Sequence, residues 1–105
     1  MTITRASAER DGWRWLTVDG ELHQDNAVEL QRRLDQLAQS GQPRVVLDLQ
    51  PAAKLDFDAL VALVLARARL QREGGDLLLR ASTGDVRRLL QLTGMTDLLE
   101  VVEEG

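Results

Sequence analysis

The chain has 105 residues, 44% hydrophobic and 29% charged, which suits one globular domain spanning 1–105 with a single core. A net charge of -4 argues against nonspecific binding to nucleic acid or anionic membrane, because both attract basic surfaces. The absence of Cys excludes disulfides, thiolate chemistry and Cys-based metal sites. No leader segment is visible, and no apolar run approaches the ~20 residues of a membrane span. A cytoplasmic protein with no direct membrane insertion is the expectation.

In chain order, residues 1–9 are weakly patterned and read as a short edge strand, with Ile3 its large aliphatic. Asp11-Gly12 is a two-residue hairpin signal. A strand follows from Trp13 to Asp19, with Leu16 and Val18 on one face and Trp13, Trp15 and Thr17 on the other. Asp19-Gly20 is expected to break it. The first helix is expected near Asn26, which with Glu29 resembles a capping box. Ala27, Leu30, Leu34, Leu37 and Ala38 form its apolar stripe. Glu29 and Arg33 are spaced as an i,i+4 ion pair. Gly41 and Pro43 stop the helix.

The stretch from Arg44 to Leu70 organises the rest. Arg44 to Leu49 reads as the central strand, with Val45, Leu47 and Leu49 on one face and Val46, Asp48 and Gln50 on the other. The second face is the more polar, so helices are expected mainly on the first. A short irregular link after Pro51 leads to a second helix from about Asp58 to Glu73, closed by Gly74-Gly75. Leu60, Val61, Leu63, Val64 and Leu65 spread over more of its circumference than a surface helix requires. That arc fits a middle helix flanked by the first and third, or a helix that faces a partner. A strand from Asp76 to Ala81 follows. A third helix is then capped by Ser82 or Thr83, with Val86, Leu89 and Leu90 inward. The last strand is Leu98 to Val102. The order ββαβαβαβ gives an α/β domain with a largely parallel sheet of about five strands, the first antiparallel at the edge, and three main helices.

Little chemistry is on offer, and no cofactor is expected. Gly74-Gly75 is a helix stop, not a phosphate loop. His23 is the single histidine, which excludes a His-based metal cluster. A triad would need Ser40, Ser82 or Thr83 beside His23, and no spacing recommends it, so His23 reads as an exposed loop residue. Asp56 and Asp58 lie where a strand ends and a helix begins, the edge at which open α/β sheets place their sites. They could be a paired-carboxylate or metal site. The structural alternative has Asp58 capping the second helix and Asp56 shaping the turn. Phe57, an apolar ring between two acids, hints at a contact surface. Trp13 and Trp15 could anchor an interface or be packed by the N-terminal strand or the first helix.

Several segments together resemble a STAS domain, the fold of bacterial anti-sigma-factor antagonists. Val18-Asp19-Gly20-Glu21-Leu22 is similar to the family's Gly-Glu-Leu turn before the first helix. Arg44-Val45-Val46-Leu47-Asp48-Leu49 is similar to its central strand, and Glu73-Gly74-Gly75-Asp76-Leu77 to the turn into the next. Leu92-Thr93-Gly94-Met95, then Leu98-Leu99-Glu100-Val101, resembles its C-terminal signature. The family typically reads Asp-Ser-Ser/Thr-Gly-Leu at the second helix, with a hydroxyl phosphorylated by an anti-sigma kinase. Here the same positions are Asp56-Phe57-Asp58-Ala59-Leu60, so Phe57 and Asp58 form a degenerate phosphosite. His23 and Asn26 replace the family's usual Asp and Thr.

The resemblance implies a non-enzymatic interaction module without a phosphoswitch at this site. Its partner surface would comprise His23, Asp25, Asn26, Asp56, Phe57, Asp58 and Val61. The implied partner is an anti-sigma factor or related regulatory protein. Gly20-Glu21-Leu22 followed by Gln24-Asp25 also resembles the small STAS subunits of phospholipid-trafficking ABC transporters, which would dock on the ATPase through this helix end.

Overall fold

The computed structural model describes residues 2–5, 12–49, 52–80 and 84–102. Among them lie six strands and three helices: β1 (Thr2–Arg5), β2 (Arg14–Leu22), α1 (Gln24–Gln39), β3 (Arg44–Asp48), β4 (Ala52–Leu55), α2 (Phe57–Arg72), β5 (Asp76–Arg80), α3 (Gly84–Thr93) and β6 (Glu100–Val102). A single 3-10 turn, Thr96–Leu98, precedes β6. The main path of the sheet runs β1-β2-β3-β5-β6, with β1 antiparallel to β2 and the other neighbours parallel.

The element order differs from ββαβαβαβ by one strand. Residues 52–55, read as an irregular link, form β4, which lies off the main path and pairs parallel with β2. Ala and Lys are poor strand formers, so Ala52-Ala53-Lys54 carries no propensity signal; pairing with β2 makes the strand. β2 itself does not stop at Asp19-Gly20. It continues to Leu22, and its register shifts between Gly20 and Glu21. Gly20 has φ 87°, a backbone geometry that glycine adopts without a Cβ penalty, and such a bulge bends the strand. The first part of β2 therefore pairs with β3 and the last with β4.

The helices bury one face of the sheet. Leu16 and Val18 of β2, Val45 and Leu47 of β3, and Leu77 and Leu79 of β5 join Leu30 and Leu34 of α1, Leu60 and Leu63 of α2, and Leu90 of α3 in one core. The α1 stripe is buried as its spacing requires. The opposite face carries half-buried Trp13 and Trp15, buried Val46, and Asp48, whose carboxylate pairs with Arg80 Nη1 at 3.2 Å. The Trp15 ring lies 5.8 Å from the Arg80 guanidinium. Packing of the tryptophans under the first helix is thus corrected: α1 covers the Leu16 side, and alternation places both rings on the other. Asp11, Gln50, Ser82 and Thr83 lie outside the described residues, and with them the hairpin signal at Asp11 and the α3 cap. The last strand starts at Glu100, because Leu98 is taken into the 3-10 turn.

α2 packs on α1 and on β5. Gln31 Nε2 of α1 donates to the Ala62 carbonyl of α2 at 3.4 Å, and Arg69 of α2 forms an ion pair with Asp35 of α1. The outer side of α2 stays open, with Leu65 59% exposed. At its far end the helix closes on Gly74, and the Gly75 N–H donates to the Leu70 carbonyl at 2.9 Å. Asp76 then fastens three elements. Its Oδ1 accepts from Arg67 Nε at 2.8 Å and from the Leu77 N–H at 2.7 Å. Its own N–H donates to the Pro43 carbonyl at 3.1 Å.

Two stability predictions follow from this fastening. A Cβ on Gly75 would lie 2.0 Å from the Pro43 carbonyl oxygen, a contact that backbone movement must relieve. Gly75→Ala is expected to lower unfolding stability by about 1–3 kcal/mol in urea titrations. Burial opposes the charged form of Asp76, but hydrogen bonds from Arg67, Leu77 and Gln71 and the Arg67 charge outweigh it and hold the carboxyl below its ordinary 3.8. A depressed carboxylate stabilises the fold above its unfolded pKa, and that contribution is lost as pH falls through the folded one. The stability gap between wild type and Asp76→Asn should therefore be constant near neutral pH. It should shrink as denaturation is repeated below about pH 4.

Candidate functional site

Two helices begin side by side because their strands end side by side. Leu22 of β2 lies opposite Leu55 of β4, and the Asp56 N–H donates to the Leu22 carbonyl at 3.2 Å. The next residue on each chain segment, His23 and Asp56, is the N-cap of α1 and of α2. The sheet thus brings His23, Asp25 and Asn26 to the same edge as Asp56, Phe57 and Asp58.

At the α1 start, the cap is His23 and not Asn26. Asn26 occupies the third helical position, where its Oδ1 accepts from the His23 N–H at 2.9 Å. Its Nδ2 donates to the Glu21 carbonyl at 2.8 Å and lies 3.4 Å from His23 Nε2. One amide side chain therefore holds the last turn of strand and the first turn of helix together, the reciprocal half of a capping box. His23 is half-buried and is not the exposed loop residue that composition suggested. The shift in helix start explains both corrections: Leu22 is the last buried strand residue, so the helix must begin immediately after it.

At the α2 start, Asp56 Oδ1 accepts from the Ala59 N–H at 2.8 Å. Asp56 is thus the cap, and the assignment of that role to Asp58 is corrected. The helix begins at Phe57, one residue earlier than its apolar arc signals. Asp58 sits in the first turn and is exposed, as is Asp25 in the first turn of α1. Carboxylates there meet the positive helix ends, an interaction worth about 0.3–1 kcal/mol each. Phe57 is 49% exposed and Val61, one turn on, is half-buried.

One oxygen of Asp56 is committed to its own helix. Among the described residues no group of three or more His, Cys, Asp or Glu side chains could hold a metal ion. Ser40, a candidate nucleophile, caps the other end of α1, about 25 Å from His23 along the axis, and its Oγ donates to the Leu37 carbonyl. A cleft of about 210 Å³ beside Arg14 and Arg44 holds none of the candidate residues, and one of about 240 Å³ beside Arg33 and Leu37 holds Ser40 but none of the residues at the two helix starts. Three exposed apolar residues escaped the sequence reading as surface, Val28 of α1, Leu92 of α3 and Leu98 of the 3-10 turn, while Leu65 of α2, also exposed, belongs to the arc read as either packed or facing a partner. For Val28 the signal was an aliphatic side chain off the buried stripe of its helix.

The fold is shared with solved structures. A candidate anti-sigma factor antagonist from Thermotoga maritima superposes with a TM-score of 0.82 at 20% identity, over 98% of this chain and 86% of that one. An anti-sigma factor antagonist from Mycobacterium paratuberculosis gives 0.77 at 25% identity, covering 95% and 85%. The Bacillus cell-fate determinant SpoIIAA, in its unphosphorylated form, gives 0.79 at 12% identity, covering 99% and 89%. No curated relative matches the sequence significantly. The family model described as the Mlab STAS domain matches residues 7–101, and the chain therefore belongs to that STAS family.

Proposed function

We propose that the protein is a non-enzymatic docking module, similar to anti-sigma-factor antagonists, whose partner seats on the paired N-termini of α1 and α2. The observation that carries this reading is Phe57, a large ring left half in solvent at a helix start, between the cap Asp56 and the exposed Asp58. An exposed aromatic rimmed by fixed charges is the composition of an interface anchor. His23, Asp25, Asn26 and Val61 complete the surface.

The module has no serine or threonine switch at this surface. Residues 41–81 contain no Ser, Thr or Tyr. Asp58 supplies one permanent negative charge where the family resemblance places a phosphorylatable hydroxyl. A phosphoserine carries about -1.5 to -2 and three acceptor oxygens, so Asp58 is a weaker and unchanging substitute. The partner is an anti-sigma factor or related regulatory protein under this reading. A second reading, the small STAS subunit of a phospholipid-trafficking ABC transporter, is favoured by the Mlab description of the matching family. In that reading the same surface meets the transporter ATPase.

Both readings predict that Phe57→Ala weakens partner binding about tenfold or more, measured by titration calorimetry, with an unchanged melting temperature. The partner itself separates them. With a kinase-type anti-sigma factor and ATP, wild type is expected to take no phosphate and Asp58→Ser to take it. Stable co-purification with a transporter ATPase, and no labelling of Asp58→Ser, selects the second reading. Label on Ser82 or Thr83 of the wild type would force a different model, with a switch away from this surface.

A further inference from the structure

The outer ridge of α2 continues well beyond the docking edge. Phe57, Val61, Leu65 and Ala68 follow one another at helical spacing i, i+4, i+8 and i+11, on the side away from buried Ala59, Leu63, Ala66 and Leu70. Phe57 is 49% and Leu65 59% exposed, Ala68 is exposed, and Val61 is half-buried. No element of the described fold covers this ridge. Its charges are sorted by end. Asp58 lies at the start of the helix, and exposed Arg69 and Arg72 lie at its close, followed by Glu73 at the C-cap. Arg69 is engaged by Asp35 of α1, which leaves Arg72 as the outward cation of that end.

We propose that this ridge pairs with the same ridge of a second copy of the chain, with the two α2 helices antiparallel and Leu65 on the two-fold axis. Asp58 and Arg72 are each seven residues from Leu65, about 10 Å along the axis in opposite directions. Antiparallel pairing about Leu65 therefore sets Asp58 opposite Arg72 of the partner subunit, and Arg72 opposite Asp58 of the partner subunit. Parallel pairing would set like charges together. The two macrodipoles also oppose each other favourably in the antiparallel arrangement. Ala68, the small residue of the stripe, meets the turn that carries Val61 and Ala62, which lets the helices approach closely. A second copy supplies both the complementary charge and the matching apolar stripe by symmetry, as an isologous contact requires. One helix against one helix is a small interface, so the dimer is weak and concentration-dependent. It covers Phe57 and Val61 in part and so competes with any partner that docks at the helix starts.

Sedimentation velocity on the purified full chain, from about 1 µM to about 1 mM, tests the pairing without any other protein. The mass is expected to rise from monomer to dimer across that range. Leu65→Asp is expected to remain monomeric throughout. Asp58→Arg and Arg72→Asp are each expected to weaken the dimer about tenfold, and the double reversal to restore it. All these positions are exposed, and circular dichroism melts check that the variants keep the wild-type fold. A wild type that stays monomeric at about 1 mM would overturn the proposal. So would a dimer that survives Leu65→Asp, or a double reversal weaker than both single ones. None of these outcomes depends on the identity of a docking partner, so this inference and the docking function fail separately.

Discussion

Leu22 and Leu55 sit opposite each other at the end of two parallel strands, and that register determines what the domain presents. The residue after each leucine caps a helix. Both helices are then forced to start at the same edge, with their positive ends adjacent. Had β4 paired with β2 one residue out of step, its side chains would face the opposite way, and Asp56 could no longer follow directly on a leucine packed against the core. The backbone bond from Asp56 to the Leu22 carbonyl secures this alignment where the ladder ends.

Two helix N-termini side by side concentrate unpaired N–H groups and partial positive charge. The chain answers with acids: Asp56 caps, while Asp25 and Asp58 occupy the first turns. Between those acids, Phe57 leaves about half of its apolar ring exposed. The chain belongs to the Mlab STAS family, and this edge is where its two acid-bearing helix starts meet.

Most of the architecture was legible because burial imposes period on sequence. Leu30, Leu34 and Leu37 declare a helix face, and the alternation of Leu16 and Val18 against Trp13 and Trp15 declares a strand. The parts that were not legible are those where tertiary pairing overrides local preference. Ala52-Ala53-Lys54 becomes a strand because β2 extends past Gly20 to meet it. The caps were misplaced for a related reason. Asn26 and Asp58 both have good capping side chains, but the helix starts are set by where the paired strands stop. Capping chemistry then falls to His23, a poor cap by residue type, with Asn26 serving it from within the helix. Phe57 and Leu65 could be named from sequence as apolar, but only the packing of α1 beside α2 showed which side of the arc remained uncovered.

Gly20 divides β2 into two stretches whose pairings are set separately, the first by β1 and β3, the second by β4. The antiparallel pairing of β1 lies wholly on the first stretch. The register of β1 on β2 is thereby uncoupled from the register of β4 on β2 that fixes the two helix starts.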